Sequence, residues 1–177
     1  MGFFEPERYF SRVSNVHIRH DLLDRGIVNV LLDMDNTVVS RATHDVPRDV
    51  RLWLSQAREA GVNVCLLSNN WHRSPYEWSA ELDIPVVAKA CKPLPHAFMI
   101  ARDRMNARSK DTVVIGDQLS TDVVGAHLLG MKAYLVCPLA EVDLKHTMVV
   151  RNFERMLLGE RVPEGAMPMR NASSTAE

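Results

Sequence analysis

Apolar runs that stop abruptly at polar residues recur along the chain, and the segments between them carry apolar residues at helical spacing. The first run starts at Val28 and stops at Asp33, and the second spans 62–67 and stops at Ser68. Continuous apolar runs of this length are typical of strands buried on both faces of a parallel sheet. The segment 48–60 between them has the apolar periodicity of a helix. This order of elements predicts a βαβ unit with a right-handed crossover.

The same alternation continues to residue 136 and predicts one domain. Further strands are predicted at 84–88, 112–115 and 132–136, and further helices at 75–82, 93–105 and 121–129. The segment 148–158 predicts a last strand and helix, whereas from residue 160 onward Pro, Gly, Ala and Ser dominate without periodicity. We therefore predict a single α/β domain over 1–160, a Rossmann-like three-layer sandwich with a mainly parallel sheet, and a flexible tail over 161–177.

Composition narrows the functional classes. The formal net charge of −1 gives no overall attraction to nucleic acid or to anionic lipid. No apolar run approaches the roughly 20 residues of a membrane-spanning helix, and the acidic start of the chain does not match a signal peptide. Cys65, Cys91 and Cys137 are isolated, which predicts buried thiols in a reducing compartment. We expect a cytoplasmic protein that is soluble or at most peripheral at a membrane.

An aromatic cluster lies near the start of the chain, between Phe3 and Val13. Arginines lie among these aromatic residues, as they do in segments that bind membrane surfaces, but Glu5 and Glu7 balance their charge. Because Phe is commonly buried, packing of these rings across the bottom or edge of the sheet is the favoured interpretation.

Two carboxylates, Asp33 and Asp35, mark the end of the first predicted strand. In open α/β sheets, ligands bind at the carboxyl ends of the strands. Residues i and i+2 of an extended backbone face the same side, so both acids can converge on one point. Like charges that close require a cation or a shared proton. Taken alone, the pair is explained equally well by a turn residue followed by a helix cap.

Polar residues at three further strand ends change this balance. They are Ser68 and Asn69, then Lys92, then Asp117 with Asp122. Clustered carboxylates form an oxygen-rich site for a hard cation such as Mg²⁺, and a hydroxyl with a lysine binds phosphoryl oxygens. Each residue alone is ordinary, but their order at successive strand ends predicts phosphoryl transfer.

These segments resemble motifs one to four of the haloacid dehalogenase (HAD) superfamily of phosphohydrolases. The likeness is stronger to subfamily IIIA, the YqeG type, which includes phosphatidylglycerophosphate phosphatases. It extends from about residue 21 to residue 155 and implies a HAD-like fold. The matching segments are D-M-D-N-T at 33–37, S-N-N at 68–70, K-P at 92–93, G-D-Q at 116–118 and T-D-V at 121–123.

The resemblance implies catalysis through an aspartyl phosphate. Asp33 would attack phosphorus, and Asp35 would protonate the leaving alkoxide and then activate water. Thr37, Ser68 and Asn69 would bind the phosphoryl group, with Thr37 also holding the turn.

The resemblance also implies a Mg²⁺ cofactor and a role for the lysine. Asp33, Asp117 and the main-chain carbonyl of Asp35 would bind the metal, and Asp122 would support the metal or orient Lys92. Lys92 would neutralise charge on the phosphoryl group and on the intermediate.

The spacing of the motifs also bears on the substrate. Only one crossover helix fits between the first and second motifs, and one more between Asn70 and Lys92, which predicts a capless, open site. An open site favours a phosphate carried on something large. Such a carrier could be a protein, a nucleic acid end or a lipid headgroup at a membrane, and the charge disfavours nucleic acid. The resemblance to the YqeG-type phosphatases makes the lipid headgroup the leading hypothesis.

Two other functions stay open. One is a phosphatase of soluble nucleotides or sugar phosphates whose lid comes from a homo-oligomer partner. The other is a catalytically silent binding module, which has no chemical need to retain all four acid and lysine positions. His127 could contact the phosphate or leaving group, but its helical position favours a packed histidine.

Overall fold

A six-stranded, entirely parallel sheet forms the centre of the protein. The computed structural model describes residues 2–140 and 161–166. The strands are β1 (Arg8–Phe10), β2 (Asn29–Asp33), β3 (Asn63–Leu67), β4 (Val86–Val87), β5 (Thr112–Gly116) and β6 (Lys132–Val136). Their order is β1-β6-β5-β2-β3-β4, so the first and second motifs lie on adjacent central strands. The predicted α/β architecture is confirmed.

Helices cover both faces of this sheet. They are α1 (Arg48–Glu59), α2 (Ser74–Leu82), α3 (Pro95–Arg104) and α4 (Val124–Leu128), with a π-helical segment (Leu119–Val123) before α4 and short helical turns at 13–15, 18–22, 23–25 and 109–111. Side chains of α1 and α2 pack in one core layer, and those of α3 and α4 pack in the other. Within the described residues, α2 is the one helix between β3 and β4, and residues 34–47 between β2 and α1 contain no helix.

Strand β2 is buried along its whole length, and this fixes the position of Asp33. Val30 and Leu32 pack in the layer of α1, whereas Leu31 packs in the layer of α3. A slip of one residue would turn each of these side chains to the opposite face, so the register is strongly specified. The strand therefore holds Asp33 at the carboxyl edge of the sheet.

The N-terminal aromatic segment includes a strand that the sequence did not predict. Phe10 at the end of β1 is buried, and its ring centroid lies 5.6 Å from that of Tyr134 on β6. This agrees with packing on the sheet edge. Phe3 and Phe4, by contrast, are 47% and 49% exposed.

Part of the predicted tail is held against β1. The Glu164 N–H donates to the Tyr9 carbonyl and the Ser11 N–H donates to the Glu164 carbonyl, each over 2.8 Å. Arg8 forms ion pairs with Glu164 and with the buried Asp21. Residues 161–166 therefore extend the edge of the sheet, whereas the predicted elements at 148–158 lie outside the described residues.

Two predictions from composition can be compared with this fold. Across residues 2–140 and 161–166, no helix combines the length and the apolar character needed to cross a bilayer. All three cysteines are free thiols, but the prediction that they are buried is wrong for Cys91, which is exposed, and Cys137 is half-buried. Cys91 lies in a loop, where its apolar sequence neighbours do not cover it.

Candidate active site

The predicted site residues meet at the carboxyl edge of the sheet. Asp33 ends β2, Ser68 follows β3, and Asp117 follows β5. Lys92 lies in the loop after β4, and Asp122 lies in the π-helical segment. Except for Asp35, which is half-buried, the predicted carboxylates and the lysine are all buried.

Lys92 is the central cation of the site. Its Nζ donates to Asp33 Oδ1 over 2.5 Å and to Asp122 Oδ1 over 2.7 Å. The side chains of these three residues are at most 7% exposed. Charge-assisted hydrogen bonds in such a dry environment are strong and hold both partners in one geometry.

Three carboxylates converge closely enough to hold a metal ion. Oxygen atoms of Asp33, Asp117 and Asp122 lie within 4.8 Å of one another. Asp33 Oδ2 is buried and has no hydrogen-bond partner among the described residues, which leaves it available for a cation or a phosphorus atom. Such a donor set of carboxylate oxygens fits Mg²⁺ or a similar hard divalent cation.

Asp122 differs from Asp33 because both of its carboxylate oxygens accept hydrogen bonds. One of its oxygens accepts from Lys92, and the other accepts from the Gln118 N–H over 3.2 Å. A Cβ atom at position 116 would clash with the Asp122 carboxyl group, so the Gly116 of the G-D-Q motif permits this close approach. Of the two predicted roles of Asp122, orienting Lys92 fits these contacts better.

Crowding of charge perturbs the titration of the site. Burial raises the pKa of Asp33 to about 7, with the Asp122 and Asp35 charges acting in the same direction and Lys92 opposing them. Burial, then the charges of Asp33 and Asp122, raise the pKa of Asp117 well above its ordinary value. Burial would lower the pKa of Lys92, but the Asp122 and Asp33 carboxylates raise it. The lysine is therefore charged, and a second cation would favour ionised Asp33 and Asp117.

Asp35 is separated from this cluster by its hydrogen bond to Ser68. The Ser68 hydroxyl donates to Asp35 Oδ2 over 2.5 Å and accepts from the Asn70 N–H over 3.0 Å. The Asp35 side chain is not part of the group of carboxylates that could hold a metal.

Asn69 makes contacts that the motif did not predict. Its Oδ1 accepts from the Lys92 N–H over 2.7 Å, and its Nδ2 donates to the Lys92 carbonyl over 3.3 Å. Both polar ends of the amide group therefore bind the main chain of Lys92. In this arrangement Asn69 holds the loop that carries Lys92, whereas Ser68 contacts Asp35.

Thr37 lies in a tight turn that follows β2. The Val38 and Val39 N–H groups both donate to the Met34 carbonyl, and Asn36 has a φ of 71°. Asn tolerates this left-handed conformation better than most residues, which explains its place in the D-M-D-N-T motif. The Thr37 hydroxyl is buried without a hydrogen-bond partner among the described residues, so a phosphoryl oxygen could accept from it.

Arg41 is a candidate functional residue that the sequence reasoning missed. Its positive charge opposes the rise in the pKa of Asp117, so it lies within electrostatic range of that carboxylate. Its Nη1 is buried and has no hydrogen-bond partner in the part of the chain that the structure describes. Asp45, a nearby acid in the same loop, already accepts from the Val46 N–H and Arg51. An arginine in a polar loop gives no sequence signal, so only the fold identifies it.

His127 does not reach the site. Its Nδ1 lies 2.6 Å from the Phe3 carbonyl oxygen, and its Nε2 lies 3.4 Å from Glu7. These contacts lie beside Lys132, where β6 begins, at the amino edge of the sheet. The favoured interpretation of a packed histidine agrees with this position.

Comparison with known proteins identifies a family with the same fold. Residues 90–138 match the HAD-hydrolase-like family. The fold is shared with NagD from Escherichia coli K-12, at 12% identity, a TM-score of 0.54, and coverage of 66% of this chain and 98% of that chain. It is also shared with the cobalt-bound deoxy-D-mannose-octulosonate 8-phosphate phosphatase YrbI of Haemophilus influenzae, at 15% identity, a TM-score of 0.52, and coverage of 76% and 88%.

One relative is similar enough in sequence to show the family of this chain. The chain is 34% identical over 156 residues to the "Probable phosphatase YqeG" of Bacillus subtilis strain 168, which covers 88% of this chain and 90% of that protein. The chain therefore belongs to the HAD phosphatases, in the YqeG group. The resemblance inferred from the motifs is confirmed, and so is the prediction that the protein is a phosphatase.

Proposed function

We propose that this phosphatase hydrolyses a lipid-borne phosphate monoester, such as phosphatidylglycerophosphate, with Mg²⁺ as cofactor and Asp33 as nucleophile. The observation that carries the proposal is the buried Asp33 carboxylate, which has one oxygen on Lys92 and the other without a partner among the described residues. This arrangement orients one oxygen for attack while a fixed positive charge lies beside it.

The first chemical step would form the aspartyl phosphate. Asp33 Oδ2 attacks phosphorus, an O–P bond forms, and the bond from phosphorus to the leaving alkoxide breaks. Asp35, in its protonated form, gives its proton to that alkoxide. Lys92 and the Thr37 hydroxyl stabilise the negative charge on the phosphoryl oxygens.

The second step would return the enzyme to its starting state. Asp35, now a carboxylate, accepts a proton from water, and the water oxygen attacks phosphorus. The bond between phosphorus and Asp33 breaks, and inorganic phosphate leaves. The Ser68 hydroxyl, 2.5 Å from Asp35 Oδ2, keeps the acid oriented in both steps.

Asp33, Asp117 and the main-chain carbonyl of Asp35 would hold the Mg²⁺. The raised pKa values of Asp33 and Asp117 support a divalent cation, because buried carboxylates crowded together favour binding of positive charge. The ion would supply positive charge that keeps these carboxylates ionised and neutralises phosphoryl oxygens. YrbI, which shares the fold, is described in a cobalt-bound form.

The absence of an inserted lid in the described residues supports a substrate that is itself large. A lipid headgroup at the surface of a cytoplasmic membrane meets this requirement. The resemblance of the motifs to the YqeG type, which includes phosphatidylglycerophosphate phosphatases, also supports a lipid substrate. Nucleic acid is disfavoured by the net charge of −1. The alternative is a phosphatase of soluble nucleotides or sugar phosphates whose site is closed by a second copy of the chain.

Phosphate release tests the proposal. Short-chain phosphatidylglycerophosphate and a panel of soluble phosphate monoesters are compared, each with Mg²⁺ and with EDTA. Wild type is compared with Asp33→Asn and with the control Asp24→Asn, which removes an exposed acid at the opposite edge of the sheet. We expect the lipid ester to be hydrolysed faster than every soluble ester, and all turnover to be lost with EDTA and with Asp33→Asn but not with Asp24→Asn.

Other outcomes separate the parts of the proposal. A preference for soluble esters would keep the chemistry and remove the lipid assignment. Full activity of Asp33→Asn would exclude the aspartyl phosphate. Absence of any turnover by the wild type with Mg²⁺ would remove both proposed substrates.

A further inference from the structure

We propose that two loops beside Lys92 form a docking surface for a bilayer that contains anionic lipids. The loops are residues 69–73, after β3, and residues 88–94, after β4, and together they are called the mouth surface. This inference deepens the proposed function and rests on it, because it assumes that the phosphate monoester is presented by a membrane.

The two loops are joined to each other and to the active site. The Lys89 N–H donates to the Asn70 carbonyl over 3.3 Å, and the Ala90 N–H donates to the Ser68 carbonyl over 3.0 Å. The amide group of Asn69 binds the main chain of Lys92 on the second loop. A surface that contacts these loops therefore lies directly beside the phosphate-binding groups.

Large apolar side chains project from both loops. Trp71 is 65% exposed and Leu94 is 60% exposed. Single exposed apolar residues are common on protein surfaces, so their exposure alone identifies no partner. Their position is more informative, since each follows within three residues of an active-site residue, Ser68 or Lys92.

The charge of the mouth surface identifies the partner. Residues 69–73 and 88–94 contain no Asp or Glu, although the whole chain has 22 acidic residues and a net charge of −1. Apart from Lys92, which is buried and paired with Asp33 and Asp122, their basic residues are Arg73 and Lys89. Arg73 and Lys89 are exposed, and the Lys89 ammonium lies 5.4 Å from the centre of the Trp71 ring. Apolar groups flanked by cations match the acyl and headgroup layers of an anionic bilayer.

The exposed aromatic residues near the start of the chain, Phe3 and Phe4, cannot serve the same membrane. Phe3 and Phe4 lie near His127 and the start of β6, at the amino edge of the sheet. A bilayer bound there would face the edge opposite Asp33. The mouth surface is the one that brings a membrane-borne phosphate to Lys92.

Vesicle sedimentation tests the proposal without catalysis. Sucrose-loaded vesicles of phosphatidylcholine alone, or mixed with phosphatidylglycerol, are incubated with protein in EDTA. Phosphatidylglycerol carries no phosphate monoester, so binding is measured apart from turnover. We expect the wild type to sediment with the mixed vesicles and much less with phosphatidylcholine.

Matched double variants locate the contact. Trp71→Ser with Leu94→Ser should lower partition by about tenfold or more, because two large apolar groups leave the interface. The control, Phe4→Ser with Leu128→Ser, removes two exposed apolar residues remote from the mouth surface and should bind as the wild type does. Each variant is checked by circular dichroism and by hydrolysis of a soluble ester, which the mouth variant should retain.

Charge variants test whether electrostatic attraction to anionic lipid contributes to vesicle binding. Arg73→Gln with Lys89→Gln should lower binding by about tenfold, and only on vesicles with phosphatidylglycerol. Arg25→Gln with Lys110→Gln removes the same charge from exposed positions near the amino edge and should have no effect.

Clear results would overturn the proposal. They are no sedimentation of the wild type, equal losses in the mouth and control variants, or a mouth variant that changes the oligomeric state instead of vesicle binding. If vesicle binding fails while soluble esters are hydrolysed with Mg²⁺, docking is wrong and the phosphatase chemistry stands. If vesicles are bound but no ester is hydrolysed, docking stands and the proposed function fails.

Discussion

The buried charge of Asp33 is expected to destabilise the metal-free protein, and Asp33→Asn tests this. Burial raises the pKa of Asp33 from 3.8 to about 7. A shift of about 3 units corresponds to about 4 kcal/mol at pH values above both pKa values. In that range the carboxyl group is ionised in both states, but ionisation is costlier in the folded one. Asparagine cannot ionise, so this cost disappears while its side-chain oxygen can still accept from Lys92.

The effect has a definite pH dependence. Since the folded pKa is raised, the destabilisation begins above the unfolded value of 3.8 and reaches its full size above about 7. Near pH 8, Asp33→Asn should raise the free energy of unfolding by roughly 2–4 kcal/mol, or the Tm by roughly 5–15 °C. Near pH 5 the folded carboxyl group is protonated, so the gain should be much smaller than near pH 8.

Thermal unfolding followed by circular dichroism in EDTA measures this gain across the same pH range. Asp24→Asn, at an exposed position, is the control and should leave the Tm close to that of the wild type at every pH. The reasoning would be refuted if Asp33→Asn were no more stable than the wild type near pH 8, or if the gain did not fall with acidification. A variant that is more stable but inactive would show that Asp33 is kept for chemistry and not for folding.

Three further results are expected. Lys92→Met should lower the free energy of unfolding by about 3–5 kcal/mol in urea, because it leaves buried carboxylates without their cation; an unchanged urea midpoint would contradict this. Mg²⁺ should raise the wild-type Tm more near pH 8 than near pH 5, since protons compete for Asp33 and Asp117, and equal shifts would argue against binding at these acids. Arg41→Gln should raise the KM for the phosphate ester with a smaller change in kcat, Arg41→Lys should recover part of the loss, and the exposed control Arg48→Gln should not change it.

The central strands and the acidic pair could be predicted because their signals are local. An apolar run that ends at Asp33 defines both a buried strand and the place where its carboxylate emerges. The boundaries of α1 and β6 agree with prediction for the same reason, since apolar spacing alone determines them. The meeting of Asp33 with Lys92 follows from strand order, which the parallel topology restricts to a few arrangements.

The missed features depend on contacts between residues distant in sequence. β1 has only three residues, and it exists because it pairs with β6 on one side and contacts Glu164 on the other. Asn69 follows Ser68 directly, so the motif predicts a phosphate contact, but the fold brings the Lys92 main chain within reach of its amide group. Arg41 gains significance only when the turn after β2 brings it near Asp117.

Strand direction also decides between two aromatic surfaces that look alike in the sequence. Phe3 and Trp71 are both exposed aromatic residues, so exposure alone gives no reason to prefer either. The parallel sheet separates them, because Trp71 follows the carboxyl end of β3 and Phe3 contacts the helix that precedes β6. Since the predicted site residues all lie at the carboxyl edge, only a partner bound on the Trp71 side could deliver a phosphate to Asp33. We therefore interpret the exposed basic and apolar loops as the surface that presents a membrane-borne phosphate to the open site, and the vesicle experiment tests this interpretation.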